Sequence, residues 1–310
     1  MNEYHQIAKA ARFGWRAARN LLCVTPLGRV LLFPPENLRL HFGRGDAEYA
    51  INVFKHHYRQ LIGSGYPCGG QILEVGPGRN LGTGVLIWAW HYVRFGQGVV
   101  VTLWDVFPNM VVNDETLKGA AQALLQDEQF GDLAAEINDH AFTSSIKAVA
   151  DGMLAPDIRY AVQRLSGFAA TGRPGGFDLI YSQASIEHIW NIAEFWTTII
   201  RLTRNGGWHS HRIDLADHGR RTTNYIEMLE WSPWAYWLTM RFVPGAINRW
   251  RAPMHLDAIQ QQGMKIKFVE RGLREELPIA RSRIDRTFRK LADIDLRTTA
   301  LDLVAVKSGP

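Results

Sequence analysis

Cysteine is nearly absent: Cys23 and Cys68 are the only two in 310 residues. With no CxxC pair and no even set of four or more, neither a disulfide scaffold nor a zinc knuckle is supported, and a reducing cytoplasm is the expected compartment. Long apolar runs are missing too. The sparsely charged stretch from Asn80 to Trp104 is interrupted by Arg94 and punctuated by glycines, which leaves it short of a membrane span. The opening MNEYHQIAKA lacks the continuous apolar core and small-residue cleavage site of a secretory signal. There is no internal repeat and no low-complexity linker. What is present, 46% hydrophobic residues over this length, is enough to bury a substantial core in one large domain or two ordinary ones.

The net charge of +5 is unevenly distributed. Residues 1–70 carry 9 basic and 4 acidic side chains, residues 71–200 carry 7 and 14, and residues 201–310 carry 19 and 12. An acidic middle between basic flanks suggests two surfaces of opposite preference rather than one uniform nucleic-acid-binding face; segregated solvated faces are the plainer reading. Residues 5–22 predict a basic amphipathic helix, with Lys9, Arg12, Arg16 and Arg19 on one side and Ile7, Ala11, Trp15, Ala18 and Leu22 on another. Such a helix lies on an anionic membrane surface or packs on its own domain.

A second amphipathic helix, 46–62, is stopped by Gly63, Gly65 and Pro67. The short apolar strand Ile72–Val75 follows, then the turn Gly76-Pro77-Gly78-Arg79-Asn80, a helix from about Leu81 to Arg94 and a strand Val99–Trp104. This unit implies a parallel crossover in an open α/β sheet, with ligand at the carboxyl ends of the strands. The turn has no Gly-Lys-Ser/Thr, as a phosphate loop would, and Leu81 stands where a dinucleotide fingerprint has its third glycine. Glu74, inside an apolar strand, needs a cation or hydrogen-bond donors. Further on, helical pattern covers about 114–150, strands fall at Ile158–Val162 and Phe177–Tyr181, a helix at 190–203, and a strand at Trp208–Ile213. The chain ends with helix 254–262, strand Lys265–Glu270, a basic insert and strand Leu301–Val306. Asp151-Gly152 competes as the end of the third strand, but Ile158–Val162 is the better β pattern.

In this order, Glu74-Val75-Gly76-Pro77-Gly78, Asp105, Phe177–Gln183 with Glu187-His188-Ile189, and Asn205-Gly206-Gly207 resemble the class I S-adenosylmethionine-dependent methyltransferases. The resemblance implies a Rossmann-like, doubly wound, mostly parallel seven-stranded sheet with an antiparallel last strand and helical inserts. It also implies S-adenosyl-L-methionine as cofactor. Glu74 would compensate its ammonium end beside Gly76, Pro77, Gly78 and Asn80, while Asp105, next to Val106, would accept from both ribose hydroxyls. Ser182 and Gln183 would face the methionine end, and adenine contacts would come from about Gln163–Phe168. A weaker likeness, through Gly76–Thr83, Ser182–His188 and His211–His218, points to a bacterial-type branch acting on sugars and cell-surface glycans.

Methyl transfer from a sulfonium needs alignment and, for a hydroxyl acceptor, one positioned base. His188 follows the fourth strand. At the fifth strand's end lie His209, His211, Asp214, Asp217 and His218, with His209 and His211 on one face. Three readings stand: a His–Asp base built on His211, Asp214 or His218; a divalent-cation site; or structural polar groups hydrogen-bonding one another. No metal ligand is assigned. An aromatic and arginine-rich insert, Gly219–Pro253, reads as an acceptor-binding cap or as a cap with its own aromatic core. The expected organisation is an N-terminal helical region to 69, a cofactor core 70–218, a cap 219–253 and a C-terminal part 254–310. An O-methyltransferase for a small or carrier-linked, saccharide-like anionic acceptor is the first expectation, with peripheral membrane contact through the N-terminal helix. A nucleic-acid methyltransferase, for which the Asn/Asp-Pro-Pro-Tyr motif is lacking, and a non-catalytic cofactor-binding scaffold are the alternatives.

Overall fold

The computed structural model describes residues 3–33, 47–79, 81–106 and 157–309, together with Gly119, Ser144, Lys147 and Ala148. Asn80 and nearly all of the helical region expected at 114–150 lie outside the described residues. Within them a seven-stranded sheet runs in the order β3-β2-β1-β4-β5-β7-β6. Its strands are β1 Gln71–Val75, β2 Val100–Asp105, β3 Ile158–Val162, β4 Phe177–Gln183, β5 Thr203–Asp214, β6 Met264–Leu273 and β7 Thr298–Lys307. β1 through β5 pair in parallel, and β7 lies antiparallel to both β5 and β6. This is the Rossmann-like sheet that the motif order implied. The chain leaves β1 toward β2 and β3 on one side and returns to β4 and β5 on the other, so the crevice between the carboxyl ends of β1 and β4 is the topological switch point, where such sheets bind ligands.

Helices cover both sheet faces, which is why the parallel strands are apolar almost throughout. Along β1 the two-residue period sends Ile72 to one face and Leu73 and Val75 to the other. The first face is covered by α3 (Ala47–Gly63) and α4 (Gly82–Phe95). Residues 82–92 of α4 are all buried, as befits a helix that is hydrophobic all round. It sits so close to the sheet that a Cβ on Gly84 would come within 2.5 Å of Leu103 Cδ2. On the other face, α6 (Ile192–Leu202) buries Phe195, Trp196 and Ile199 with Ile259 of α8 (Ala252–Gln260). Complete burial of such side chains stabilises by roughly 1.5–3 kcal/mol each before entropy is counted.

The N-terminal basic helix, α1 (Glu3–Leu22), packs on the cap helix α7 (Pro233–Met240). Phe13 stacks on Trp231 at 6.0 Å, Arg16 pairs with Glu227 at 2.8 Å, and Asn20 holds Leu238 O and the Phe242 amide. One face of α1 is therefore an intramolecular contact. The cap has its own core, in which Tyr225, Trp231 and Tyr236 meet Ile284, Phe288 and Leu296 from the later basic insert.

Candidate functional site

The turn after β1 is held from both sides. The Gly76 amide donates to Trp104 O at 2.8 Å, and the Ser185 hydroxyl donates to Val75 O at 2.8 Å. Gly76 has φ +68°, and a Cβ there would lie 2.6 Å from Ser185 Cβ, so both conformation and space demand glycine. Pro77 is buried, and Gly78 repeats the positive φ at +65°. Among the described residues no side chain caps the start of α4 at Leu81.

Glu74 is 3% exposed and lies on the face of Ile72. The Tyr181 hydroxyl, on the register-matched residue of β4, donates to Glu74 Oε2 at 2.6 Å. Burial pushes the Glu74 carboxyl up to about 8; the Tyr181 bond opposes this, and Asp105 adds to it. Asp105, at the end of β2, is also buried and accepts the Val106 amide through Oδ1 at 2.7 Å. Val106 itself is largely exposed. The two acids thus flank the turn at the ends of β1 and β2, where the resemblance placed the ammonium and ribose ends of the cofactor. In the segment expected to contact adenine, Gln163 O accepts the Trp104 indole at 2.9 Å. Phe168 is a core residue, stacked on Trp104 at 4.9 Å within the hydrophobic cluster of that face.

Ser182 and His211 are hydrogen-bonded to each other in the interior. Ser182 is fully buried, and its hydroxyl bonds His211 Nδ1 at 2.7 Å. His211 Nε2 meets His209 Nδ1 at 3.0 Å, His209 Nε2 meets Thr203 Oγ1 at 2.7 Å, and Thr203 donates to Ile199 O at 2.7 Å. The last bond fixes the direction of the rest. Thr203 uses its only proton on Ile199 O, so it accepts from His209 Nε2–H; His209 Nδ1 accepts from His211 Nε2–H, and His211 Nδ1 accepts from Ser182. Both imidazoles must be neutral. Burial, reinforced for His211 by His209, His57 and His255, holds both well below the usual histidine range. With both nitrogens committed, His211 has no lone pair for an acceptor, and it forms no pair with Asp214. Both Ser182 and His211 belong to the interior polar network. Gln183, one residue further, keeps a buried Oε1 without a hydrogen-bond partner among the described residues.

The remaining candidates converge beyond β4 and β5. Glu187 and His188 lie in the 3-10 turn Ile186–His188, and Asp214 and His218 at and after the end of β5. The His188 and His218 rings are 5.2 Å apart, and His218 Nε2 lies 3.3 Å from Asp214 Oδ2. Burial works against the Asp214 charge, but His218, the Ala216 amide and Arg221 together hold its carboxyl below the usual range. Glu187 has no role in the sequence pattern beyond preceding His188. It is 2% exposed, and neither of its oxygens has a hydrogen-bond partner among the described residues. A carboxylate directly before the candidate histidine was the available signal. Tyr181 was missed as the partner of Glu74, although a tyrosine within a buried strand calls for a polar neighbour.

Most of the cap arginines are structural. Arg251, fully buried, donates to Leu215 O, Asp295 O, Leu296 O and Thr298 O. Arg249 lies between the rings of Tyr236 and Phe288 at 4.8 and 5.0 Å. Arg220 pairs with Glu227, Arg221 with Asp214 and Arg283 with Glu230.

No family model and no curated protein matches the chain. Solved structures similar to it include phosphoethanolamine N-methyltransferase 2 from Haemonchus contortus in complex with S-adenosyl-L-methionine, at 16% identity and TM-score 0.45, over 83% of this chain and 53% of that one. An S-adenosylmethionine-dependent methyltransferase from Mesorhizobium loti shares 17% identity at TM-score 0.38, over 81% and 97% of the two chains. The DszA carbon methyltransferase shares 14% at TM-score 0.42, over 91% and 60%. At these TM-scores the likenesses carry no argument of their own, and the strand order alone assigns the fold.

Proposed function

We propose that the chain is an S-adenosylmethionine-dependent methyltransferase. The observation that carries this reading is the arrangement at the switch point: Glu74 and Asp105 at the ends of adjacent strands, flanking the positive-φ turn at Gly76 and Gly78. A buried carboxyl of raised pKa suits an ammonium that arrives with the ligand, and a strand-end aspartate suits a vicinal diol. Calorimetry with S-adenosyl-L-methionine and its demethylated product tests it directly: binding of neither refutes the reading.

The acceptor we propose is a hydroxyl of a small or carrier-linked, saccharide-like anionic molecule, reached from the side of His188 and His218. Arg220 and Arg221 pair with Glu227 and Asp214 but keep about half of their side chains exposed, and the N–H groups outside those pairs support an anionic group beside them. The arginines engaged by carbonyls and carboxylates elsewhere weigh against a nucleic-acid substrate, as does the lack of an Asn/Asp-Pro-Pro-Tyr motif. Cofactor binding without turnover across a broad hydroxyl-acceptor screen would favour the scaffold reading.

Peripheral membrane contact is part of the proposal. Beyond α1, the short helix α2 (Pro26–Leu32) exposes Leu27 at 69%, Val30 at 54% and Leu31 at 71%, close in sequence to exposed Leu21 and Leu22 and to Arg29. An apolar strip with basic neighbours fits an anionic lipid surface. No described helix is long and apolar enough to cross a membrane.

A further inference from the structure

We propose that Glu187, His188 and His218 form a binding site for a divalent transition-metal ion at the carboxyl ends of β4 and β5. One donor atom from each residue lies within 4.8 Å of the other two. Ligands of a tetrahedral ion at about 2.1 Å stand about 3.4 Å apart, so movements of about 1 Å per side chain close the set. The surroundings show what an ion there would meet. Glu187 is 2% exposed, neither of its oxygens has a hydrogen-bond partner among the described residues, and His218 Nε2 lies 3.3 Å from Asp214 Oδ2. A purely structural polar cluster would have satisfied the Glu187 oxygens. The nearby guanidinium of Arg221 is engaged by Asp214. The other histidine is already oriented: His188 Nδ1 lies 3.3 Å from Ala246 O, and a proton donated there leaves Nε2 with its lone pair.

The donor set specifies the class of ion. One carboxylate and two imidazoles suit Zn, Co, Fe or Mn, whereas Ca and Mg prefer sites built of oxygen. Three protein ligands leave coordination positions open, the pattern of catalytic rather than structural sites. Its role rests on the methyltransferase reading: an acceptor hydroxyl in an open position would be acidified and held in line with the sulfonium. The hydroxyl proton passes to solvent, the oxygen forms the new bond to the methyl carbon, and the sulfur keeps the electron pair of the bond that breaks.

The test uses the full chain stripped of metal by chelation and titrated with Co²⁺ alone, followed by absorption and calorimetry. One ion per chain with visible ligand-field bands is expected. Glu187→Gln and His218→Ala should each weaken binding by at least about tenfold. S-adenosyl-L-methionine binding is measured on the same samples without metal, both as a check on folding and to separate the two ideas. Loss of cofactor binding by the wild type would refute the methyltransferase reading and leave the metal site standing. If Glu187→Gln fails to fold, His188→Ala, at a partly exposed position, takes its place. No saturable Co²⁺ binding by the wild type, or equal affinity in the variants, would overturn the proposal.

Discussion

Tyr181 donates a 2.6 Å hydrogen bond to Glu74 across the β1–β4 pair, so the acid proposed to receive the cofactor's ammonium is already held by a neutral donor on the next strand. In the free protein burial keeps this carboxyl protonated up to about pH 8. If an ammonium binds the carboxylate, binding releases that proton, and below pH 8 affinity should rise with pH by up to about tenfold per unit. The ligand's own amino group titrates in the same window, so the readout is the difference between wild type and Glu74→Gln, which should bind weakly without the Glu74-linked proton release. Tyr181→Phe keeps the shape and removes the donor; its pH profile should move to the alkaline side. Calorimetry in buffers of different ionisation enthalpy measures both, and equal proton release in wild type and Glu74→Gln would refute the assignment.

Stability should pass through a maximum near neutrality. His57, His209 and His255 are depressed to about 3 and His91 to about 4, each chiefly by burial, and His211 falls well below 6.5 for the same reason. In the unfolded chain all five take up protons below about pH 6.5, so their contribution is complete above that pH and is lost as pH falls toward the folded values. Glu74 has the opposite sign: its folded pKa of about 8 stabilises the fold in acid and costs stability as pH rises from about 4.5 to 8. Between pH 4.5 and 6.5 the net linkage of these six groups is four protons, a ceiling of roughly 5 kcal/mol per pH unit. Urea unfolding at pH 7.0, 6.0 and 5.0 should show a steep loss of stability; a flat profile would contradict the neutral, buried assignment.

His211→Ala tests the same network differently. It leaves a cavity, the Ser182 hydroxyl without an acceptor and His209 Nδ1 without a donor, which together should cost about 3 kcal/mol. The kcat/KM of the folded variant should keep the wild-type pH dependence. A lost acidic limb with unchanged stability would restore His211 as the catalytic base.

The legibility of this protein follows the range of the interactions. The β1-turn-α4-β2 unit was readable to within about two residues because a strand's apolar run and a glycine turn are local signals, and Ile158–Val162 was rightly preferred over Asp151-Gly152. The shared face of His209 and His211 was readable for the same reason. The partner of His211 was not, because Ser182 lies 29 residues away and meets it only through β4–β5 register. Nor could spacing show that Phe288 and Leu296 complete the cap core around Tyr236, so aromatics that read as an acceptor surface are in part interior. The glycines before β5 read as a turn; the strand instead begins at Thr203, with a register break between Phe177 and Leu179 on β4.

Gly76→Ala should abolish cofactor binding while leaving a folded protein. The added Cβ meets Ser185 Cβ at 2.6 Å with φ at +68°, so the turn must shift or push Ser185 away from Val75 O. Strain of this kind costs on the order of 1–3 kcal/mol, within what a domain tolerates. Near-wild-type cofactor affinity in the folded variant would show that the turn is not the binding loop.

The membrane proposal makes a prediction that electrostatics alone does not. If α2 inserts Leu27 and Leu31 at the lipid surface, both side chains leave water on binding, each worth about 1.5–3 kcal/mol. Leu27→Asp with Leu31→Asp should therefore reduce partitioning onto phosphatidylserine-containing vesicles by roughly 100-fold or more. Arg29→Ala, beside them, should change it by only about 1 kcal/mol and mainly at low salt. Neither substitution touches the described contacts of α1 with α7, so cofactor affinity should not change. Sedimentation with vesicles with and without anionic lipid separates the terms. Equal partitioning of the double-aspartate variant and the wild type would remove α2 as the contact and return its leucines to the ordinary exposed apolar residues of a protein surface.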